Sequence, residues 1–129
     1  MFKMSFAVYR RPDMSREDFL RYWRDVHAPL AVKYAKALRI KRYVQLHGAD
    51  TEASRIMTES RGCAPPHDGV VEIWWESEAD RLAIGDTEEG REAGRIMRED
   101  ELRFCDMSRS TVAFGYEQVI IGEGADERP

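Results

Sequence analysis

The chain of 129 residues contains little cysteine and no long apolar run. Its two cysteines, Cys63 and Cys105, are too few for a disulfide framework. No stretch approaches the roughly 20 apolar residues that a membrane-spanning helix requires. These absences predict a cytoplasmic protein with reduced thiols and no membrane partner.

An excess of positive charge is also missing. The sequence has 20 Lys and Arg residues against 24 Asp and Glu residues, which gives a formal net charge of −4. Its basic residues are scattered along the chain, whereas nucleic-acid-binding proteins usually concentrate them in a patch. We therefore expect no nucleic-acid partner.

The length is that of about one ordinary domain, which can bury a core without disulfides. We expect residues 1–121 to form this single domain and residues 122–129 to form a polar C-terminal tail.

Four segments have the residue pattern of β-strands. In residues 2–9, apolar side chains alternate with other residues, which places Phe2, Met4, Phe6 and Val8 on one face. The other predicted strands cover residues 40–47, 70–75 and 111–121. Residues 48–68 are polar and irregular, and so long a connection is usually a lid, a binding loop or a disordered segment.

Two helical regions separate these strands. The first begins near Ser15, whose hydroxyl precedes Asp18 by the spacing of an N-terminal cap. Pro29 should loosen or kink this helix because proline lacks an amide donor. The second region covers residues 78–97. In the first helix, apolar residues recur every three or four positions and predict a core-facing stripe of Phe19, Tyr22, Trp23, Val26 and Leu30.

The order β-α-β-β-α-β predicts an α+β fold of the ferredoxin-like type, a four-stranded antiparallel sheet with two helices on one face. Strands one, three and four offer apolar residues on both sides, including Trp74 or Trp75 and Phe114 or Tyr116. An uncovered apolar face predicts a partner surface, and symmetric homodimers are the commonest assemblies. We therefore expect a homodimer in which two sheets meet face to face and enclose a space.

Parts of the sequence resemble the EthD family. These are the segments YRRPDMSREDFLRYWRDVHAPLA, RYVQLH, DGVVEIWWES and EDELRFCD. The first is the most specific, because Arg-Arg-Pro, Met-Ser, the aromatic pair Tyr22-Trp23 and the His-Ala-Pro ending fall together at the family's spacing. The resemblance implies a ferredoxin-like subunit that pairs as a dimeric α+β barrel.

The family is named for a protein encoded beside an ether-degrading oxygenase, and its superfamily includes lactone isomerases, polyketide cyclases and anthrone oxygenases. The resemblance implies a cofactor-independent enzyme that acts on a small cyclic or aromatic metabolite by histidine acid-base chemistry. Two alternatives stay open. One is a non-catalytic protein that binds a hydrophobic metabolite in a degradation or polyketide pathway, and the other is a haem-binding relative.

His27 is the first candidate catalytic residue, because it matches the histidine of the family's His-Ala-Pro ending. An imidazole titrates near neutral pH, so in an apolar cleft it can remove and return a proton. The alternative is that His27 caps its helix through nearby carbonyls and the helix dipole.

Tyr43 and His47 are further catalytic candidates on one face of the second strand, roughly 13 Å apart. Tyr43 could donate a hydrogen bond to a substrate carbonyl or a developing enolate, and His47 could act as a second acid-base group. The alternative is a half-buried tyrosine and a surface histidine at a strand end.

Four residues are candidates for substrate binding: Tyr22, Trp23, Glu72 and Trp74. Glu72 lies among apolar neighbours, where an unpaired carboxylate would have a raised pKa and could act as a base. The alternative for Glu72 is an ion pair with an arginine such as Arg42. The aromatic residues could instead be ordinary core.

Cys63 and His67 are a weak indication of a metal site. A zinc site would need two further ligands at suitable spacing, and the sequence offers none. We therefore expect no metal and no cofactor, with haem as the less favoured alternative.

Overall fold

The computed structural model describes residues 1–125. Within them the strands are β1 (Phe2–Val8), β2 (Arg42–His47), β3 (Gly69–Trp75) and β4 (Thr111–Tyr116). The α-helices are α1 (Arg16–Tyr22), α2 (Ala28–Tyr34), α3 (Glu52–Arg61), α4 (Glu78–Ala83) and α5 (Glu88–Glu101). A π-helical turn, Trp23–His27, joins α1 to α2, and a 3₁₀ turn, Ile84–Asp86, lies between α4 and α5.

The four strands form one antiparallel sheet in the order β2-β3-β1-β4. Two helical regions, α1 with α2 and α4 with α5, pack side by side on the same face of this sheet. This arrangement confirms the predicted α+β, ferredoxin-like fold. A first core cluster forms around Phe2, Leu38 and Trp75, and a second forms around Phe19, Trp23 and Phe104.

The first helical region begins as predicted. The Ser15 hydroxyl accepts a hydrogen bond from the Asp18 amide at 3.1 Å. Pro29 was expected to loosen or kink the helix, and the chain does widen into a π-helical turn just before it, whose two ends, Trp23 and His27, are both buried. The helix then continues as α2, because Pro29 lies in its first turn, where a missing amide donor costs little.

The prediction that residues 48–68 are irregular is wrong for their central part, which forms α3. The Thr51 hydroxyl caps this helix by accepting from the Ser54 amide at 3.1 Å, and Gly62 ends it at a φ of 62°. No residue of α3 is buried. Its few apolar residues at helical spacing, Ala53, Ile56 and Met57, therefore give only a short pattern that no core contact supports.

Two boundaries differ from the prediction by four residues or more. Strand β4 ends at Tyr116 rather than at residue 121, and α5 continues to Glu101, four residues beyond the predicted end. The polar tail predicted for residues 122–129 is described only as far as Ala125, and its last four residues lie outside the described part. No helix in residues 1–125 is long and apolar enough to cross a membrane.

The sheet has one face under the helices and one outer face. Phe114 and Tyr116 pair with Met4 and Phe2, so they lie on the helix side, and neither supplies the predicted apolar outer face. Of the two tryptophans in β3, Trp74 lies on the outer face. The rest of the outer face carries Lys3, Ser5, Ala7, Arg42, Val44, Leu46, Val70, Glu72, Thr111, Ala113 and Gly115.

Candidate active site

His27 is fixed to the end of α5 by a carboxylate. It is 4% exposed, and its Nδ1 lies 2.7 Å from Oδ2 of Asp100, which is itself 2% exposed. The other carboxylate oxygen, Oδ1, accepts from the Tyr22 hydroxyl at 2.6 Å and from Arg103 Nη1 at 3.0 Å. The imidazole does not cap the helix, because its ring binds this side chain and the chain continues into α2.

Burial and hydrogen bonds determine whether His27 and Asp100 are charged. Burial alone would raise the pKa of Asp100, but hydrogen bonds from Tyr22, His27 and Arg103 outweigh it and lower that pKa. Burial also lowers the pKa of His27, and the contact with Asp100 offsets only part of this effect. A neutral His27 must then donate its Nδ1 hydrogen to an ionised Asp100, which leaves the Nε2 lone pair as the free basic site.

His27 lines a small cavity of about 50 Å³ between the helices and the sheet. Three further side chains that can ionise, Tyr43, Glu101 and Cys105, line the same cavity. The remaining lining residues are mostly apolar and include Trp23 and Phe104. A space of this size holds only a few water molecules.

Glu101, like Asp100, is a site residue that the sequence interpretation missed. Burial raises its pKa to about 7, and Asp100 adds to the increase while Arg98 opposes it. A carboxyl group with such a pKa exchanges protons near neutral pH. A signal was present in the sequence, since Asp100 and Glu101 continue the buried stripe of α5 that contains Ala93 and Met97.

Tyr43 and His47 do share the helix-side face of β2, and Gln45 connects them. Gln45 Nε2 donates to the Tyr43 hydroxyl and to the Trp23 carbonyl, both at 3.1 Å, and its Oε1 lies 2.7 Å from His47 Nε2. Burial raises the pKa of Tyr43, so the phenol stays protonated. Its hydroxyl accepts from Gln45 and keeps its own hydrogen for another acceptor.

His47 lies away from the small cavity. Its ring stacks on Trp23 with centroids 4.9 Å apart and an interplanar angle of 12°. Burial, with a smaller effect from Arg24, lowers the pKa of His47. The structure therefore places His47 where it supports Trp23 and Gln45, whereas His27 and Tyr43 line one cavity.

A larger, more open cavity of about 530 Å³ lies next to the small one. Four residues line both cavities and form the wall between them: Tyr43, Ile73, Met97 and Glu101. The polar groups of this wall, the Tyr43 phenol and the Glu101 carboxyl, thus border the larger space as well as the space beside His27.

Glu72 and Trp74 lie on the outer face of the sheet, opposite His27. Glu72 pairs with Lys3 at 2.6 Å, so it is not an unpaired carboxylate, and its partner is a lysine rather than the suggested Arg42. The Arg42 guanidinium instead lies 5.1 Å from the Trp74 ring centre. Within one subunit these two residues cannot contact a ligand that touches His27, and their role in substrate binding stays a prediction for the space between two sheets.

Tyr22 contacts the carboxylate that holds His27, whereas Trp23 lines the cavity beside His27. The Tyr22 hydroxyl bonds to Asp100, and burial, followed by the contact with Asp100, raises the pKa of Tyr22 to about 12. Trp23 is 2% exposed and lines the small cavity directly. Trp23 is therefore the better placed of the two to contact a ligand.

Cys63 and His67 do not form the start of a metal site. Cys63 is exposed, and the His67 ring lies 5.0 Å from the Tyr9 ring. In residues 1–125 no group of three or more His, Cys, Asp and Glu side chains is arranged to hold a metal ion.

Comparison with known families matches residues 11–108 to the EthD domain. This range is about three quarters of the chain and contains His27, Tyr43, Asp100 and Glu101. The chain belongs to the EthD family. The resemblance seen in the sequence is thereby confirmed, and the Asp100–His27 pair lies within the domain that defines the family.

Solved structures share the fold of this EthD-family chain at low sequence identity. An EthD family protein from Bacillus halodurans has a TM-score of 0.58 at 17% identity, over 91% of this chain and 99% of that chain. A dimeric protein of ferredoxin-like fold from Bacteroides fragilis has a TM-score of 0.56 at 10% identity, over 90% and 95% of the two chains.

SnoaB, a cofactor-independent oxygenase from Streptomyces nogalater, has a TM-score of 0.50 at 12% identity, over 95% of each chain. A search of curated protein sequences found no match. At these identities the likeness to solved structures establishes the fold alone.

Proposed function

We propose that this EthD-family protein is a cofactor-independent enzyme that moves protons on a small cyclic or aromatic metabolite. The observation that carries the proposal is the position of His27. Its Nδ1 is held at 2.7 Å by Asp100, and its ring borders the same cavity as Tyr43 and Glu101. A base, a hydrogen-bond donor and a second acid-base group are thus gathered around one apolar space.

His27 acts as the base through Nε2. The imidazole removes a proton from a substrate carbon next to a carbonyl group, and the substrate becomes an enolate. The imidazolium that forms is stabilised by the ionised Asp100, which accepts the Nδ1 hydrogen in both states. The low pKa of Asp100 keeps that carboxylate charged throughout.

Tyr43 and Glu101 act on the substrate from the wall between the two cavities. The Tyr43 phenol donates its free hydrogen to the enolate oxygen, where charge develops. Glu101, with a pKa of about 7, returns a proton at a second carbon, and His27 later transfers its proton to the Glu101 carboxylate through solvent or product. No electrons are gained or lost, so the net reaction is an isomerisation.

The same deprotonation begins two other reaction types. The carbanion can attack a carbonyl of the same molecule, which closes a ring, or it can react with dioxygen. Oxygenation is included because SnoaB, which shares this fold, is described as a cofactor-independent oxygenase. The substrate ring occupies the larger cavity, and the flexible Met97 side chain in the wall moves to admit the reacting edge.

Deuterium exchange tests this proposal without knowledge of the natural substrate. We expect the wild-type protein to accelerate exchange of the acidic C–H protons of 2-tetralone or anthrone in D₂O, followed by NMR. His27→Ala should lower the accelerated rate by on the order of 100-fold. His67→Ala is the matched control, since His67 lies outside both cavities, and it should exchange like the wild type.

Two results would contradict the proposal. One is wild-type exchange no faster than in buffer for either ketone. The other is a folded His27→Ala variant that exchanges as fast as the wild type. Circular dichroism of each variant separates lost chemistry from lost folding.

A binding protein is the second candidate function. The observation that favours it is the size difference between the cavities, since the 530 Å³ space is open and the space beside His27 measures only about 50 Å³. A hydrophobic metabolite held in the larger space need never reach the imidazole. Thermal stabilisation by a bound lactone or phenol that is identical in wild type and His27→Ala, without any exchange activity, would support this function.

The outer face of the sheet forms a homodimer in this proposal. No helix covers it, and Val44 and Leu46 on β2 are 36% and 60% exposed. The Bacteroides fragilis protein of the same fold is described as dimeric. Sedimentation should give twice the subunit mass for the wild type, and Leu46→Asp should shift the measured mass toward that of the monomer. A monomeric wild-type protein at micromolar concentration would rule the dimer out.

The cytoplasmic location stays a prediction from the sequence.

A further inference from the structure

Three arginines border the larger cavity. Arg81, Arg91 and Arg98 line it, and Arg91 donates to the Gly85 carbonyl at 2.9 Å. Neither Arg81 nor Arg98 forms an ion pair with a carboxylate in residues 1–125. In addition, Nε of Arg81 is buried and has no hydrogen-bond partner there. A buried donor without a partner is costly, which indicates that something else completes it.

Most arginines in residues 1–125 form an ion pair with a carboxylate, whereas the three at the cavity form none. The chain is acidic, with a net charge of −4, so carboxylates are plentiful. On the same helix as Arg98, the side chain of Arg95 pairs with both Glu92 and Glu99, and elsewhere Arg10 pairs with the buried Asp68 at 2.8 Å. At the cavity, Arg98 interacts electrostatically with the Glu101 carboxyl, whereas Arg81 forms no ion pair in residues 1–125.

The walls around these charges are apolar and aromatic. The Arg81 guanidinium lies 5.1 Å from the Trp75 ring centre and 5.8 Å from that of Phe114, and these contacts hold its planar fork in place. Trp75, Ile84 and Leu38 line the cavity beside it. An apolar ring fits such a space, and a guanidinium fork matches the two oxygens of a carboxylate.

We propose that the larger cavity binds an apolar ring compound that carries a carboxylate, with the carboxylate paired to Arg81 and held in the positive field of Arg98. This inference rests on the proposed function, because it names the substrate class of the same site. The ring lies against Trp75, and the carboxylate anchors it with the reacting edge toward Tyr43 and Glu101, which border the cavity.

The test compares a charged probe with its neutral analogue. 2-Naphthoate and 2-naphthamide have nearly the same shape, and their dissociation constants can be measured by calorimetry at pH 8, where Glu101 is mostly ionised in all samples. We expect naphthoate to bind at least tenfold more tightly than naphthamide. Arg81→Gln and Arg98→Gln should each remove most of this preference while leaving naphthamide binding nearly unchanged.

Arg95→Gln is the matched control, because it removes the same charge from α5 on a surface away from the cavity. It should keep the wild-type preference. Any of three results would overturn the inference. The first is equal affinity for the two probes, and the second is no detectable naphthoate binding at millimolar concentration. The third is a preference for naphthoate that survives in both Arg81→Gln and Arg98→Gln. Arg98→Gln also keeps the test decisive if Arg81→Gln, which loses its stacking on Trp75, fails to fold.

This experiment is independent of catalysis. Arginine-dependent naphthoate binding without deuterium exchange would uphold the carboxylate site and remove the enzymatic proposal. Deuterium exchange that depends on His27, combined with no preference for naphthoate, would uphold the enzymatic proposal and remove the carboxylate site.

Discussion

His27 and Asp100 are separated by 73 residues along the chain, yet Nδ1 of one and Oδ2 of the other lie 2.7 Å apart in the core. The contact joins the π-helical turn after α1 to the last turn of α5. It fixes the orientation of the imidazole, which is the base in the proposed chemistry. The proposed chemistry depends on this pair, and it can be tested directly.

Replacing Asp100 by asparagine should impair both stability and catalysis. The amide cannot carry the charge that pairs with Arg103 and stabilises the imidazolium of His27. We expect a loss of about 1–3 kcal/mol in the free energy of unfolding and a fall on the order of 100-fold in exchange rate. Urea denaturation and the deuterium assay measure the two effects. Asp25→Asn, which alters an exposed carboxylate, should change neither, and wild-type exchange in folded Asp100→Asn would exclude a role for the pair.

The protonation state of His27 can be observed by ¹⁵N NMR. Because burial lowers the pKa of His27, its ring should stay neutral at pH values where an unperturbed histidine is half protonated. The hydrogen should reside on Nδ1, since that nitrogen contacts the Asp100 carboxylate. A titration midpoint above 6.5, or a hydrogen on Nε2 in the neutral ring, would contradict this assignment.

Glu101 should make the protein less stable as the pH rises. Its pKa is raised in the folded state from 4.5 to about 7, so between these values the folded protein binds more protons than the unfolded chain. By linkage the free energy of unfolding then decreases with increasing pH, by at most about 3 kcal/mol from this group. The decrease is absent below pH 4.5 and complete above pH 7.

Urea denaturation of Glu101→Gln at several pH values checks this effect. The variant should lose the decrease between pH 4.5 and 7 and should be more stable than the wild type at pH 8. Glu99→Gln removes an exposed carboxylate of the same helix that pairs with Arg95, so it should retain the wild-type slope. Parallel pH profiles for wild type and Glu101→Gln would show that Glu101 ionises normally.

Two glycines of α5, four residues apart, should respond oppositely to alanine. A Cβ at Gly94 would meet nothing within 4 Å, so Gly94→Ala should stabilise the helix by about 0.5–1 kcal/mol. A Cβ at Gly90 would lie 2.0 Å from the Ile84 carbonyl oxygen, so Gly90→Ala should destabilise the fold by about 2 kcal/mol or more. Equal shifts in the urea midpoint would contradict the packing of α5 against the 3₁₀ turn.

Local patterns in the sequence determined most of the fold. The period-two alternation in β1, the hydroxyl cap at Ser15 and the stripe through Phe19 and Trp23 are properties of neighbouring residues. Such patterns are visible without knowledge of which elements meet, and they led to the ferredoxin-like order. Helix α3 was not predicted because its apolar residues, Ala53, Ile56 and Met57, are few and none of them is buried.

Charge partners were decided only by tertiary structure. The sequence offered Arg42 for Glu72, but antiparallel pairing of β1 with β3 brings Lys3 to within 2.6 Å instead. Likewise, His27 was visible from its motif, whereas Asp100 and Glu101 gained meaning only when α5 packed beside the π-helical turn. An ionisable side chain takes its pKa from neighbours in space, and these are distant in the sequence, so the family and the fold could be predicted from the chain while the chemistry of the cavity required the packed structure.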